Sequence, residues 1–300
     1  MLRRVFLIGA ALAALIPATA AAKVKVATSI NDLASIVATV GGPEVEVFAI
    51  ARPTSDVHRV EVLPSYMVKV SRADLYLKVG LGLDQWADGI IDGSHNSKLT
   101  IVDCSKDVPV RDKPVKADAS MGDVHPFGNP HYWLDPRNGA IAARNIAEAL
   151  AKADPAHADA FHSRAEAFAK DAEEAWKRGK ALTDKLTNST MITYHASWVY
   201  LAAAFDLKIV GTAEPVPGIP PTAKHLADLI QIVKAQKVPV LLQEPYFSKD
   251  AGNFLSREAG VRVVVASTSC DTPAAGSYLA HFDQVLGAIA GTGASTGSTN

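Results

Sequence analysis

Residues 23–103 alternate short apolar runs with segments of helical spacing, and this rhythm constrains the fold more than any other feature of the chain. It predicts strands at 23–30, 45–50, 75–79 and 99–103, and helices at 31–40, 64–73 and 83–91. The first helix runs into Gly41-Gly42, a stop signal, because glycine adopts the backbone conformations a helix end requires. Strands that alternate with helices pair in parallel, with the helices covering both faces of the sheet. The same rhythm returns after Asn188. There it predicts strands at 191–194, 208–212, 238–243 and 261–266, and helices at 198–205, 222–236, 249–259 and 277–289. The two blocks share a rhythm but no sequence repeat.

Between the blocks the pattern breaks. Residues 107–130 hold prolines and glycines with no period and read as a long loop, a feature often functional inside compact domains. A helix is predicted at 140–152, and Asp154-Pro155 punctuates it. A second, rich in Ala, Lys and Glu, is predicted at 156–186; at 1.5 Å per residue it runs about 45 Å, enough to lie across two domains. The expected organisation is α/β: an N-terminal lobe at 23–137, linking helices at 138–187, a C-terminal lobe at 188–290, and a disordered Gly/Ser/Thr tail at 291–300.

The start of the chain reads as a signal peptide at 1–22. Arg3-Arg4 precede an apolar run from Val5 to Ile16, and Ala18-Thr19-Ala20-Ala21-Ala22 supplies a cleavage site after Ala20 or Ala22. The run is about 12 residues, short of the roughly 20 that span a bilayer. A formal net charge of −1 gives no case for nucleic acid or an acidic membrane surface. Export places Cys104 and Cys270 in an oxidising compartment, so a disulfide is permitted, with two buried free thiols as the alternative.

Nine histidines are present. His157, His162, His225 and His281 fall on helices among polar neighbours and read as solvated, and His95 sits in a polar loop. His58, His131 and His195 differ. His58 follows the second strand, His131 closes the long loop, and His195 stands at the carboxyl end of a strand, where ligands bind in open α/β sheets. Three converging imidazoles imply a metal, because several lone pairs at one point are costly without a cation. Zinc takes such nitrogens at about 2.0–2.1 Å in tetrahedral geometry.

These residues lie in segments that resemble the solute-binding proteins of bacterial zinc and manganese ABC importers. The segments are Asp56-Val57-His58 with Leu63-Pro64-Ser65, then Asn129-Pro130-His131-Tyr132-Trp133-Leu134-Asp135-Pro136. Tyr194-His195-Ala196-Ser197-Trp198, Glu214-Pro215-Val216-Pro217-Gly218-Ile219-Pro220-Pro221 and Gln243-Glu244-Pro245-Tyr246 follow in the family's order. The resemblance implies two α/β lobes with parallel sheets flanked by helices, joined by one long rigid helix, with the ion in the cleft between them. It implies His58, His131 and His195 as ligands. The family's fourth ligand, an acidic residue after the last strand, has its slot near Ser267; Asp271 is the nearest carboxylate there, with Glu244 or water as alternatives. A histidine rather than a carboxylate at position 195 favours Zn2+ over Mn2+.

The implied function is a periplasmic carrier, not an enzyme, that hands Zn2+ to the permease of an inner-membrane ABC importer and works as a monomer. Many zinc carriers of the family have a His-rich loop before the second ligand; here only His125 stands in 107–130, which implies either no recruiting arm or a separate periplasmic metal donor protein. A zinc hydrolase would need an open metal position and a base such as Glu244. A siderophore or corrinoid carrier would need an open cleft without converging imidazoles.

Overall fold

The structure, a computed structural model, describes residues 22–115 and 125–292. Most of the expected signal peptide, most of the tail and the middle of the 107–130 loop lie outside the described residues.

Four strands of the first block form a parallel sheet: β1 (Val24–Thr28), β2 (Val45–Ala49), β3 (Leu75–Lys78) and β4 (Thr100–Asp103), in the order β2-β1-β3-β4. Helices α1 (Asn31–Gly41), α2 (Pro64–Val70) and α3 (Trp86–Gly93) make the connections. Val26, Ala27 and Thr28 of β1 are all inaccessible, on both faces of the strand. This is the expected state of a central parallel strand covered by helices on either side.

The second block repeats the plan. Strands β5 (Thr190–Thr193), β6 (Lys208–Thr212), β7 (Val240–Gln243) and β8 (Arg262–Val265) form a parallel sheet in the order β6-β5-β7-β8. Both sheets therefore have the same strand order, although the two sequences share no repeat. In each, the order reverses beside the first strand, which opens a crevice at the carboxyl ends.

Two helices separate the sheets in sequence. In α4 (Pro136–Ala153), Pro136 sits at the first helical position and the Asp135 side chain accepts from Arg137 N. The 26-residue α5 (Ala158–Thr183) is about 39 Å long at 1.5 Å per residue. It starts later than its spacing predicts because Pro155–His157 form a separate 3-10 turn. Its buried residues Phe161, Ala165, Phe168, Ala172 and Ala175 recur every three or four positions. That stripe packs against α1 of the first block and against α9 (Ser277–Ala290), the last helix of the second, after α6 (Val199–Ala204), α7 (Ala223–Gln236) and α8 (Lys249–Ala259).

Polar bonds join the halves as well. Asn31 Nδ2 donates to Cys270 O at 3.1 Å, Cys270 N donates to Asp32 Oδ1 at 3.2 Å, and Ser35 Oγ donates to Ala274 O at 2.7 Å. One turn of α1 thus holds the backbone of the β8–α9 connection. Trp133 Nε1 adds a bond to Thr268 O at 2.7 Å. Beneath them one apolar cluster runs through Val26 and Leu77 of the first sheet, Leu242 of the second and Phe282 of α9.

Two readings of the sequence need correction. Cys104 and Cys270 are both free and buried. The first follows β4 and the second follows β8, the outer strands of different sheets, and the Cys270 thiol is turned to Thr272 O at 3.3 Å. His281 is not solvated but buried, 6% exposed, with Nε2 3.0 Å from Ser267 O. It shares the inward face of α9 with Tyr278, Phe282 and Val285, so helical position overrides its polar sequence neighbours. No helix among the described residues is long and apolar enough to cross a membrane.

Candidate metal centre

His58 lies in the connection from β2 to α2, two residues after Asp56. Asp56 Oδ1 accepts from the His58 backbone N at 2.9 Å and is 2.8 Å from its Nδ1. The first bond is an Asx turn; the second aims the ring. An ionised carboxylate only accepts, so Nδ1 carries the proton and the Nε2 lone pair is left free to point elsewhere.

The same device recurs at His131. Asn129 Oδ1 accepts from His131 N at 3.1 Å and lies 3.0 Å from Nδ1. Asn129 Nδ2 is committed to Ala196 O at 2.8 Å, which leaves Oδ1 as the acceptor and again puts the proton on Nδ1. That amide ties the His131 loop to the residue after His195. Gly128 permits the approach: φ is +110°, and an added Cβ would stand 2.2 Å from Val110 Cγ1 and 2.9 Å from Arg111 O.

His195 stands two residues beyond β5. Its Nδ1 is 2.6 Å from Glu214 Oε2, and both side chains are 6% exposed. Glu214 stands two residues beyond β6, so adjacent strands of one sheet present the imidazole and its acceptor side by side.

The three acceptors turn the three rings toward one point. His58, His131 and His195 each offer a ligand atom, and these atoms all lie within 4.8 Å of one another. Ring centroids are 5.0 Å apart for His58–His131, 5.3 Å for His58–His195 and 6.0 Å for His131–His195. Nε2 of His58 and of His131 are buried without a hydrogen-bond partner. Each such orphan costs about 1–3 kcal/mol. A cation shared between them removes the cost and uses the lone pairs as ligands.

Burial, and then the neighbouring imidazoles, hold His131 well below the usual imidazole range, so it is neutral and ready to ligate. At His195 burial also acts downward, but the Glu214 hydrogen bond and the charges of Glu244, Glu214 and Asp56 outweigh it and raise the proton affinity. Burial acts upward on Asp56, and its bonds to His58 overcome that and keep the carboxyl below its usual range.

Neither carboxylate expected as a fourth ligand is in the cluster. Asp271 is exposed in the connection after β8, and its backbone carbonyl accepts from Asn31 Nδ2 at 3.3 Å. Glu244, the residue after β7, is fully buried. Its Oε1 accepts from Ser197 Oγ at 2.8 Å, its Oε2 has no partner, and burial pushes its carboxyl up to about 7. His125 stacks on His58 with ring centroids 5.3 Å apart and lies 6.4 Å from His131, a fourth imidazole at the edge of the cluster.

Sequence reasoning found the three histidines but not the groups that aim them. An Asp or Asn two residues before His58 and His131 was a readable signal. Glu214, 19 residues from His195, gave none until the strand order was known. A cavity of about 120 Å³ opens above the rings between His125, Asn129, His131, His195 and Pro217. A larger groove of about 1220 Å³ lies at the amino ends of β1 and β3 and along the edge strand β4, lined by lysines and carboxylates among others, with no imidazole.

A family profile described as zinc-uptake complex component A, periplasmic, matches residues 26–292. The iron-binding protein YfeA of Yersinia pestis is 28% identical over 292 residues, covering 94% of this chain and 90% of that protein. A crystal structure of ZnuA superposes with a TM-score of 0.78 at 24% identity, over 91% of this chain and 100% of that one. A zinc-bound variant of AdcAII from Streptococcus pneumoniae superposes with a TM-score of 0.77 at 26% identity, over 90% of this chain and 98% of that one.

Proposed function

The chain belongs to the ZnuA family, the periplasmic component of zinc-uptake complexes, and from that premise we propose that it carries a single Zn2+ on His58, His131 and His195, with water in the fourth position. Its class is settled by the family: a solute-binding protein that serves the membrane components of an ABC metal importer, not an enzyme. What supports zinc is the donor set. Three imidazoles suit a borderline cation, whereas manganese prefers oxygen. The observation that carries the reading is the common orientation of the rings, each with Nδ1 held by Asp56, Asn129 or Glu214 and Nε2 left for the ion.

The cargo is the ion itself rather than a metal chelate. The cavity above the rings is about 120 Å³, far smaller than a siderophore or corrinoid. The remaining assignments follow from the sequence: cleavage of the signal peptide near Ala22, lobes at 23–137 and 188–290 about linking helices at 138–187, a monomer in solution, and a separate periplasmic donor that supplies the ion.

X-ray absorption spectroscopy of the zinc-loaded protein tests the ligand set. Three imidazole nitrogens and one oxygen are expected, unchanged in Asp271→Ala. Loss of the oxygen scatterer and of affinity in Asp271→Ala would instead make that exposed carboxylate the fourth ligand.

A further inference from the structure

The segment Glu214-Pro215-Val216-Pro217-Gly218-Ile219 has so far supplied only one function, an acceptor for His195. Its geometry holds more. Ile219 N donates to Val216 O at 2.9 Å, with Pro217 and Gly218 between them and φ of +77° at Gly218. Proline at the second position and a positive φ at the third define a type II turn. Such a turn leaves the amide of its third residue unused. Here the Gly218 N–H donates to Glu214 Oε2 at 3.0 Å, and this is the same oxygen that meets His195 Nδ1 at 2.6 Å. Pro217, held between those bonds, forms part of the cavity wall above His131 and His195.

Glu214 itself is firmly placed. Its backbone N donates to Tyr194 O at 3.0 Å, which continues the β5–β6 ladder, and its carbonyl accepts locally from Thr212 Oγ1 at 2.6 Å. One fixed carboxylate oxygen therefore serves two donors, one on the ring that faces the cavity and one on the turn that covers it. We infer that Glu214 is a positioning residue that couples closure of the 216–219 turn to the metal-bound state of His195. The inference rests on the proposal that His195 is a ligand. When Nε2 binds a cation, the Nδ1–H becomes a stronger donor, and a charge-assisted bond fixes the carboxylate more tightly. The anchor of the turn is fixed with it. Opening the turn removes one donor from that oxygen and frees the ring to move, and the coupling is reciprocal. Release of the ion then needs displacement of a short turn, not rotation of a lobe.

The test compares wild type with Glu214→Ala, Glu214→Gln and Gly218→Ala at pH 8. Zinc release into excess chelator is timed by stopped flow, and exchange of the Gly218 amide is followed by NMR with and without zinc. Zinc should slow Gly218 exchange in wild type. Glu214→Ala should release zinc roughly 10–100-fold faster and lose that slowing. Glu214→Gln, which keeps an accepting oxygen but not its charge, should fall between wild type and Glu214→Ala in both readouts. Gly218→Ala, strained at positive φ, should also speed release while the Nδ1–H tautomer of His195 persists. The inference is overturned if Gly218 protection by zinc survives Glu214→Ala, or if Gly218→Ala releases zinc at the wild-type rate. If wild type binds no zinc, the metal reading fails by itself. The coupling is then decided in the metal-free protein, where unchanged Gly218 exchange in Glu214→Ala overturns it.

Discussion

At the scale of single residues, the site is built from three imidazoles and the three acceptors that fix their tautomers. Removing an acceptor should therefore weaken binding without removing a ligand. Asp56→Ala is expected to lower zinc affinity about 10–100-fold, read by competition with a chromophoric chelator, while far-UV circular dichroism stays unchanged. Protons compete with the ion for the same nitrogens. Because its partners raise the proton affinity of His195 above the ordinary imidazole value of 6.5, affinity should start to fall above that pH as the solution is acidified. In Glu214→Gln the group that most favours the proton has lost its charge, so the fall should move to lower pH. A titration series from pH 8 to pH 5 on both proteins checks the direction. Asp271→Ala should leave affinity unchanged, since that side chain lies at the surface.

At the scale of elements, the sequence showed where strands and helices lie because each carries its own period. It did not show which residues face each other across elements. Asp56 and Asn129 were within reach of a local reading, two residues before their histidines. Glu214 was not, because its nearness to His195 follows from the pairing of β5 with β6. The position of Asp271, exposed and apart from the three histidines, was illegible for the same kind of reason. Its loop is pinned where the Asn31 side chain of α1 donates to the carbonyls of Cys270 and Asp271, and the Asp271 side chain is exposed. That seam makes its own prediction. Burial raises the carboxyl of Asp32 to about 7 from 3.8, against the pull of its bonds to Ser269 and Cys270. A folded-state value above the unfolded one means the fold binds the extra proton. The Asp32 contribution is therefore most favourable below about pH 4 and is lost as pH rises to about 7. Urea denaturation of the metal-free protein should show Asp32→Asn gaining stability relative to wild type between pH 5 and pH 8. A constant difference across that range would contradict the burial argument.

At the scale of the whole molecule, α5 packs on both blocks and the apolar cluster passes between the sheets without a break. A hinge would have to separate that core and the bonds of α1 together. Small-angle scattering should accordingly give nearly the same radius of gyration with and without zinc, whereas a large lobe rotation would refute a rigid carrier. The two cysteines should react with a thiol reagent only after denaturation, because both are buried and unbridged. The central claim is that the three histidines select and hold one zinc ion. The most direct test is metal analysis of the purified mature protein, followed by competitive titration of the stripped protein with zinc, manganese and iron. One zinc per chain, bound well ahead of the other two and lost in His195→Ala, is the predicted result. Equal or tighter binding of manganese or iron, or zinc retained after His195→Ala, would contradict it.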